Sequence, residues 1–410
     1  MISWMLAAAL FAAPAFAQAP DDSETVSGRK LPALPDAVPA KTLAQDIAEY
    51  RAHEYEDEAY WGEAQLGLPP VFVHDVRKGL ELVYLRDYKG ARKYFEDLDA
   101  RYPERRLSSA IDAVIWQAIM LENFDFRFES QWEVASKQAR KDLTEALAQP
   151  GGEAFEHFVL AGIVGIEAIH TMRREHYLPA LQLAFETMDQ IEEARKLAPE
   201  FTDLKLADGM YNYWRTVITL STPILPDFGD HRVEGIGQLQ EVEAKGVFFA
   251  PVTSLALAFT WMEERDFKRA TASCLRNQRV YPDNIVNNLV LGQIYTYQRQ
   301  HELALKNYDH VQKTDPTNMR VHYWRAVSLL RLARLDEAEQ ELNTYLAAEY
   351  LEDWQRSSSY YRLGQVSQQR KQWGEAEERY KMAVKVDGHA GAKLAIDRLR
   401  KHKKEGRIDY

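Results

Sequence analysis

Glu167 and His170 stand three residues apart in the stretch GIEAIHTM, so on a helix their side chains share one face. That E-x-x-H spacing offers a metal one carboxylate and one imidazole. A di-iron bundle needs two such helices plus two further carboxylates, and no second E-x-x-H occurs. His157 and His176 lie nearby in the same apolar region, with Glu156 among them. A buried acid–base pair there would have displaced pKa values and could transfer a proton. The ordinary alternative is hydrogen-bonded packing, because helices rich in Glu produce this spacing by chance, and we expect that alternative. Cys274 is the only cysteine and falls at a core position, which predicts an inert buried thiol rather than a nucleophile. Asp230 and Arg232 follow a connector holding Pro223, Pro226 and Gly229, a loop of the kind that often carries function. Their structural reading is that Asp230 caps the next helix and Arg232 pairs locally. Phosphate-binding G-x-x-x-x-G-K-[ST] loops, G-x-S-x-G elbows, C-x-x-C pairs and H-E-x-x-H helices are all missing from the sequence. We therefore assign no catalytic, cofactor-binding or metal-binding residue, and expect a non-enzyme without cofactors.

The elements that must position these residues are helices. From Lys41 onward the apolar residues recur at helical spacing, and strand-like alternation bounded by hairpin signals is essentially absent. Small residues at Ala258, Gly292 and Ala326 recur every 34 positions, and Ala270, Ala304 and Ala338 follow each of them by twelve. Pro282 and Pro316 close the first two units. The pattern gives copies at 251–284, 285–318 and 319–352, a fourth at 357–390 around Gly364 and Ala376, and a degenerate one at 72–105 around Gly79 and Ala91. Two antiparallel helices approach closely only where small residues allow it. Bulky residues (Phe95, Cys274, Tyr308, Leu342, Tyr380) then fill the wedge. No unit can bury its own apolar face, so neighbours must stack. The centre of the chain is helical but irregular, with candidate helices at 108–123, 129–148, 153–172, 176–197 and 202–219.

Length and composition bound the class. The chain has 410 residues, enough for two or three globular domains or one elongated array, with 46% hydrophobic and 28% charged residues. A net charge of −11 argues against general nucleic-acid binding. The acidic run 54–63 and the basic capping helix and tail over 391–410 read as solvated surfaces. The opening MISWMLAAALFAAPAFA ends in A-x-A and predicts a signal peptide over 1–17, cleaved before Gln18, although it lacks Lys and Arg. A Pro-rich leader over 18–40 follows, unable to bury a core. The apolar run 158–166 is too short to cross a bilayer, so no membrane span is expected after cleavage. These features point to a periplasmic or secreted bacterial protein.

The repeat resembles the tetratricopeptide repeat, most fully over 251–390; in 285–318 the carriers are Leu291, Gly292, Tyr295, Ala304, Tyr308 and Pro316. Arg325, Ser367 and Lys78 depart from the pattern. The resemblance implies an all-α fold, an α-solenoid of helix pairs in a superhelix, with the irregular helical region over 41–250. The segment 208–239 is also similar to the tetratricopeptide-repeat 39/Iml2-like group, through Tyr211, Tyr213, Gly229, Asp230, Arg232 and Gly235. The repeat resemblance further implies a concave face lined by first-helix positions. Here these are Leu289, Gln293 and Tyr297, then Arg320, Tyr323, Val327 and Arg331, then Tyr361, Gln365 and Gln369. The Lys and Asn of the family's carboxylate clamp are replaced at Leu289, Tyr323, Gln293 and Val327, which speaks against capture of a free C-terminus. The expected function is an exported scaffold that binds protein or peptide partners in the cell envelope. Two alternatives stand beside it: an enzyme or metal-dependent factor centred on 156–176, and a structural subunit whose concave face is permanently filled.

Overall fold

A computed structural model describes residues 66–149, 153–221 and 229–410, and every regular element among them is a helix. The expected signal peptide (1–17), the expected leader (18–40) and the acidic run 54–63 lie outside the described residues. The described chain forms two compact units, one from residues 66–119 and 128–287 and the other from 120–127 and 288–410.

The first unit opens with the degenerate repeat, α1 (Pro70–Tyr84) and α2 (Tyr88–Arg101). Next come α3 (Ser108–Asn123), α4 (Glu129–Leu147), α5 (Glu153–Arg173), α6 (Tyr177–Leu197), α7 (Leu204–Ser221) and α8 (Arg232–Lys245), then the regular pair α9 (Ala250–Glu263) and α10 (Phe267–Val280). The second unit holds α11 (Ile285–Tyr297) from residue 288 onward, then α12 (His301–Thr314), α13 (Arg320–Arg331), α14 (Leu335–Leu346), α15 (Asp353–Gln369), α16 (Trp373–Asp387) and α17 (Ala390–Lys404). The last four residues of α3 belong to this unit too.

Within a repeat, the two helices are joined by size. A Cβ on Gly79, Gly292 or Gly364 would come closer than 3.0 Å to the ring of Phe95, Tyr308 or Tyr380, each sixteen positions later. Where the small residue is Ala258 or Ala326, the residue sixteen later is Cys274 or Leu342. All five large partners are at most 1% exposed. The larger side chain is thus matched to the smaller backbone neighbour, as close packing requires.

Each first helix ends in the same turn. Arg86, Arg265, Arg299, Ala333 and Lys371 all adopt φ between 56° and 63°, the left-handed region. In the third of the contiguous copies, the Ala333 amide donates to the Leu330 carbonyl (3.2 Å) and the Arg334 amide to Leu329 (3.0 Å). This is a Schellman closure built without glycine. Phe124 (φ 57°) and Glu175 (φ 61°) repeat it after α3 and α5, so α3–α4 and α5–α6 in the irregular centre are lengthened pairs closed by the same turn.

The three sequence departures find local explanations. Arg325 donates to Glu341 (2.8 Å) and also pairs with Asp309, Ser367 donates to the Leu363 carbonyl (3.3 Å), and Lys78 is exposed.

In the first unit, the degenerate repeat does not begin an open array. Phe72 packs edge-on against Phe155 (5.5 Å between centroids), and Phe155 lies against Phe248 (5.6 Å). Tyr84 donates to the Phe248 carbonyl (3.0 Å) and meets the Tyr281 ring. Asp203, fully buried, accepts from the amides of Val247, Phe248 and Phe249 at 2.5–3.0 Å and fixes the bend before α9. Helix α5 is long and apolar enough to cross a membrane by composition, but 78% of that stretch is buried within the protein. Its length exceeds the apolar run read from the sequence, and its burial makes it a core helix.

Candidate functional site

The His/Glu residues of 156–176 are dealt to separate partners. Glu167 accepts from Ser136 (2.6 Å) and Arg140 (2.6 Å), whereas His170 bonds Glu129 (2.7 Å). The His170 ring stacks on Trp132 at 3.9 Å. Burial draws its pKa down to about 4, so the imidazole is neutral, while the Arg174 hydrogen bond holds the Glu129 carboxyl down to about 2. His157 bonds Gln190 (2.7 Å) and His176 is exposed. Glu156 is 2% exposed and accepts from Arg105 (2.6 Å), with burial raising its carboxyl to about 7. No group of three or more His, Cys, Asp or Glu among the described residues converges as metal ligands would. Cys274 is fully buried, and burial pushes its thiol well above the usual range.

Asp230 and Arg232 form part of a buried ion network at the start of α8. Arg232 is 0% exposed and donates to both Asp230 oxygens (3.0 and 2.8 Å) and both Glu264 oxygens (3.1 Å). The Tyr213 hydroxyl donates to Glu264 (2.8 Å). Asp230 also accepts from the Arg232 amide (3.1 Å), one residue ahead of the N-cap, which His231 occupies. Gly235 lies directly on Gly209, where α7 and α8 cross. The residues of the 208–239 motif thus hold two helices together. Beside them Glu263 is 5% exposed, one carboxylate oxygen meets no hydrogen-bond partner, and burial raises its pKa to about 7.

The first-helix row of the second unit is the remaining candidate. Leu289 and Gln293 are fully buried, Val327, Tyr323 and Tyr361 nearly so, while Tyr297, Arg320 and Gln365 are half-buried. Arg331 and Gln369 are exposed, and Arg331 has no carboxylate partner among the described residues. Around Arg320 and Tyr323 the row is covered by the chain itself. Residues 120–127, the end of α3 and its turn, lie against α13 and α15. Asn318 donates to the Glu122 carbonyl (3.0 Å), Gln355 to the Phe124 carbonyl (3.2 Å) and Arg320 to the Leu121 carbonyl (3.4 Å). The Met319 amide donates to the Asn123 side chain (3.3 Å). The Phe124 ring sits edge-on to Trp354 (5.7 Å) and beneath the Arg320 guanidinium (4.7 Å). Together, Asn318, Arg320 and Gln355 satisfy carbonyls that a helix C-terminus leaves open, and the Arg320 cation faces the negative end of the helix dipole. Arg320 meets no carboxylate among the described residues, and burial lowers its pKa to about 10, which leaves it charged.

The repeats make this an all-α helical-repeat fold of tetratricopeptide-like helix pairs. No family model matches the sequence, and no curated protein matches it. Among solved structures, the chain is similar to yeast Tom70 with a TM-score of 0.42 and 15% identity, covering 73% of this chain and 65% of that one. It is similar to the APC/C hetero-tetramer Cut9–Hcn1 at 0.28 and 12%, covering 88% and 83%. For the P58(IPK) TPR domain the values are 0.26 and 11%, covering 82% and 99%. The helix pairs are defined by the Gly–ring contacts and by the left-handed turns between their helices.

Proposed function

We propose that this protein is a non-enzymatic scaffold of the cell envelope, exported by its signal sequence, that docks protein or peptide partners on the first-helix row of its second unit. One observation carries this reading: Arg320 of that row, with Asn318, the Met319 amide and Gln355 beside it, already holds a segment of the chain, through donors to its carbonyls and to the Asn123 side chain and a seat for its Phe124 ring. A buried aromatic anchor together with donors to carbonyls at a helix end can seat such a segment. Exposed Arg331 and Gln369 continue the row and offer a cation and an amide to a partner. The test is capture of partners from envelope extract by the purified chain. Arg331→Ala combined with Gln369→Ala should lower capture about tenfold at an unchanged melting midpoint. Unaltered capture would remove this face from consideration. The covered stretch at Arg320 and Tyr323 favours one second reading, the structural subunit with a permanently filled face.

A further inference from the structure

The residues around Arg320 form a receptor, and 120–127 is its occupant. Phe124, Arg320, Tyr323, Trp324, Trp354 and Ser358 border a small recess left between the segment and the two helices, with room for about one water molecule. The segment leaves this receptor incompletely used. Ser358 is 3% exposed and its hydroxyl meets no hydrogen-bond partner. Arg320 makes a single long hydrogen bond to the segment, at 3.4 Å. What the receptor reads is general: carbonyls of Leu121, Glu122 and Phe124, the Asn123 amide oxygen and one aromatic ring. Any helix that ends in a left-handed turn bearing an aromatic side chain presents the carbonyls and the ring, and the Asn123 amide oxygen is the one residue-specific group.

We propose that this face is a receptor for the C-terminal end of an aromatic-tipped helix, filled in cis by residues 120–127 acting as a self-ligand, and that a protein partner enters by presenting such a helix end and displacing the segment. This rests on the reading of the first-helix row as the docking surface. The cis segment has the advantage of an effective concentration in roughly the millimolar range, so it suppresses weak ligands and admits strong ones. The incompletely used Ser358 and Arg320 donors are where a partner gains over the self-ligand.

The experiment uses the full chain and a fluorescently labelled peptide of residues 108–127, read by anisotropy. Phe124→Ala in the chain weakens the cis occupant, so the chain variant should bind the peptide about tenfold more tightly than the unmodified chain. Adding Arg320→Gln to that variant should remove the gain, as should Phe124→Ala placed in the peptide. If Phe124→Ala lowers the melting midpoint enough to unfold the chain, Phe124→Leu is read in the same assay, since it keeps apolar volume and loses the ring. Equal binding to the unmodified and variant chains, or binding to neither, would overturn the proposal and leave the segment a permanent plug. Because the probe is the chain's own sequence, that outcome is separate from partner capture. Capture that still depends on Arg331 would keep the scaffold reading while the self-ligand falls.

Discussion

Gly292 and Tyr308 share one volume: the space a Cβ on the first would fill is occupied by the ring of the second. The Tyr308 ring is fully buried, its hydroxyl within 3.2 Å of the Thr296 hydroxyl. The same relation holds at Gly79 with Phe95 and at Gly364 with Tyr380. The two repeats with alanine at that position carry Cys274 or Leu342 instead. The solenoid is therefore built from matched pairs and not from interchangeable small residues.

The first prediction follows from this matching. Gly292→Ala should destabilise by about 1–3 kcal/mol through overpacking, although alanine is the better helix former by about 1 kcal/mol. Adding Tyr308→Leu, which recreates the Ala326–Leu342 combination, should recover much of that loss. Urea unfolding of the two single variants and the double variant should give a coupling above about 1 kcal/mol. Strict additivity would mean the two sites do not share a volume.

The second concerns the inter-helix turns. Ala333 adopts φ 58° with a side chain that disfavours it. Ala333→Gly should raise stability by about 1 kcal/mol, and Ala333→Val should lower it, because a β-branched residue tolerates that region least. Melting midpoints that move in the same direction for both would contradict the assigned turn.

A third prediction is a pH slope. Burial raises the Glu263 carboxyl to about 7 in the folded chain, above the ordinary 4.5. Between those values the folded state holds a proton that the unfolded state has released. The Glu263 contribution to stability is therefore most favourable below about pH 4.5, declines as pH rises toward about 7, and levels beyond. Glu263→Gln should flatten part of that slope and stabilise the protein at pH 8 by on the order of 3 kcal/mol. Glu156 (raised to about 7) and Asp203 (raised to about 6) tilt the remaining slope the same way, while His170, drawn down to about 4, opposes them as pH falls through about 6.5. Denaturant unfolding at pH 5 and pH 8 measures both, and an unchanged slope in the variant would exclude Glu263 as its source.

The fourth separates structure from function at Arg232. Removing this fully buried cation strands Glu264 and Asp230, so Arg232→Ala should cost about 3–5 kcal/mol. Tyr213 cannot compensate, since its hydroxyl is neutral, its pKa pushed well above 10 by burial. Lost partner capture with an unchanged melting midpoint would instead return this site to the list of docking candidates.

The fifth concerns export. Intact mass of the protein from a periplasmic fraction should correspond to a chain starting at Gln18. Retention of Met1 in a membrane pellet would contradict it.

The repeats were legible because the positions that set helix crossing must be small, and Gly292, Ala304 and their counterparts announce themselves by period. Four of the helices read in the irregular centre have one or both ends displaced from the observed ones by one or two residues, and 108–123 coincides with α3. The left-handed turns were not legible, because Arg299, Ala333 and Lys371 stand where glycine would have signalled them. Nor was the covering of the first-helix row. Asn318, Arg320 and Gln355 bind main-chain carbonyls, and carbonyls leave no trace in residue type. The E-x-x-H spacing misled in the opposite way. Its two groups do share one helix, but α5 presents Glu167 to Ser136 and Arg140 on α4 and His170 to Glu129 at the start of that helix.

The matched pairs also restrict how such a chain can change its number of repeats. Loss of 34 residues with both breakpoints between a small residue and its partner, for example 263–296, would bring Ala258 opposite Tyr308 and force a methyl group into the ring. The same loss with breakpoints outside that interval, for example 285–318, removes Gly292 and Tyr308 together and leaves Ala258–Cys274 and Ala326–Leu342 intact. Unequal recombination in the gene is therefore tolerated in only about half of each repeat. Any lengthening or shortening of the array has to move these two residues as one inherited unit.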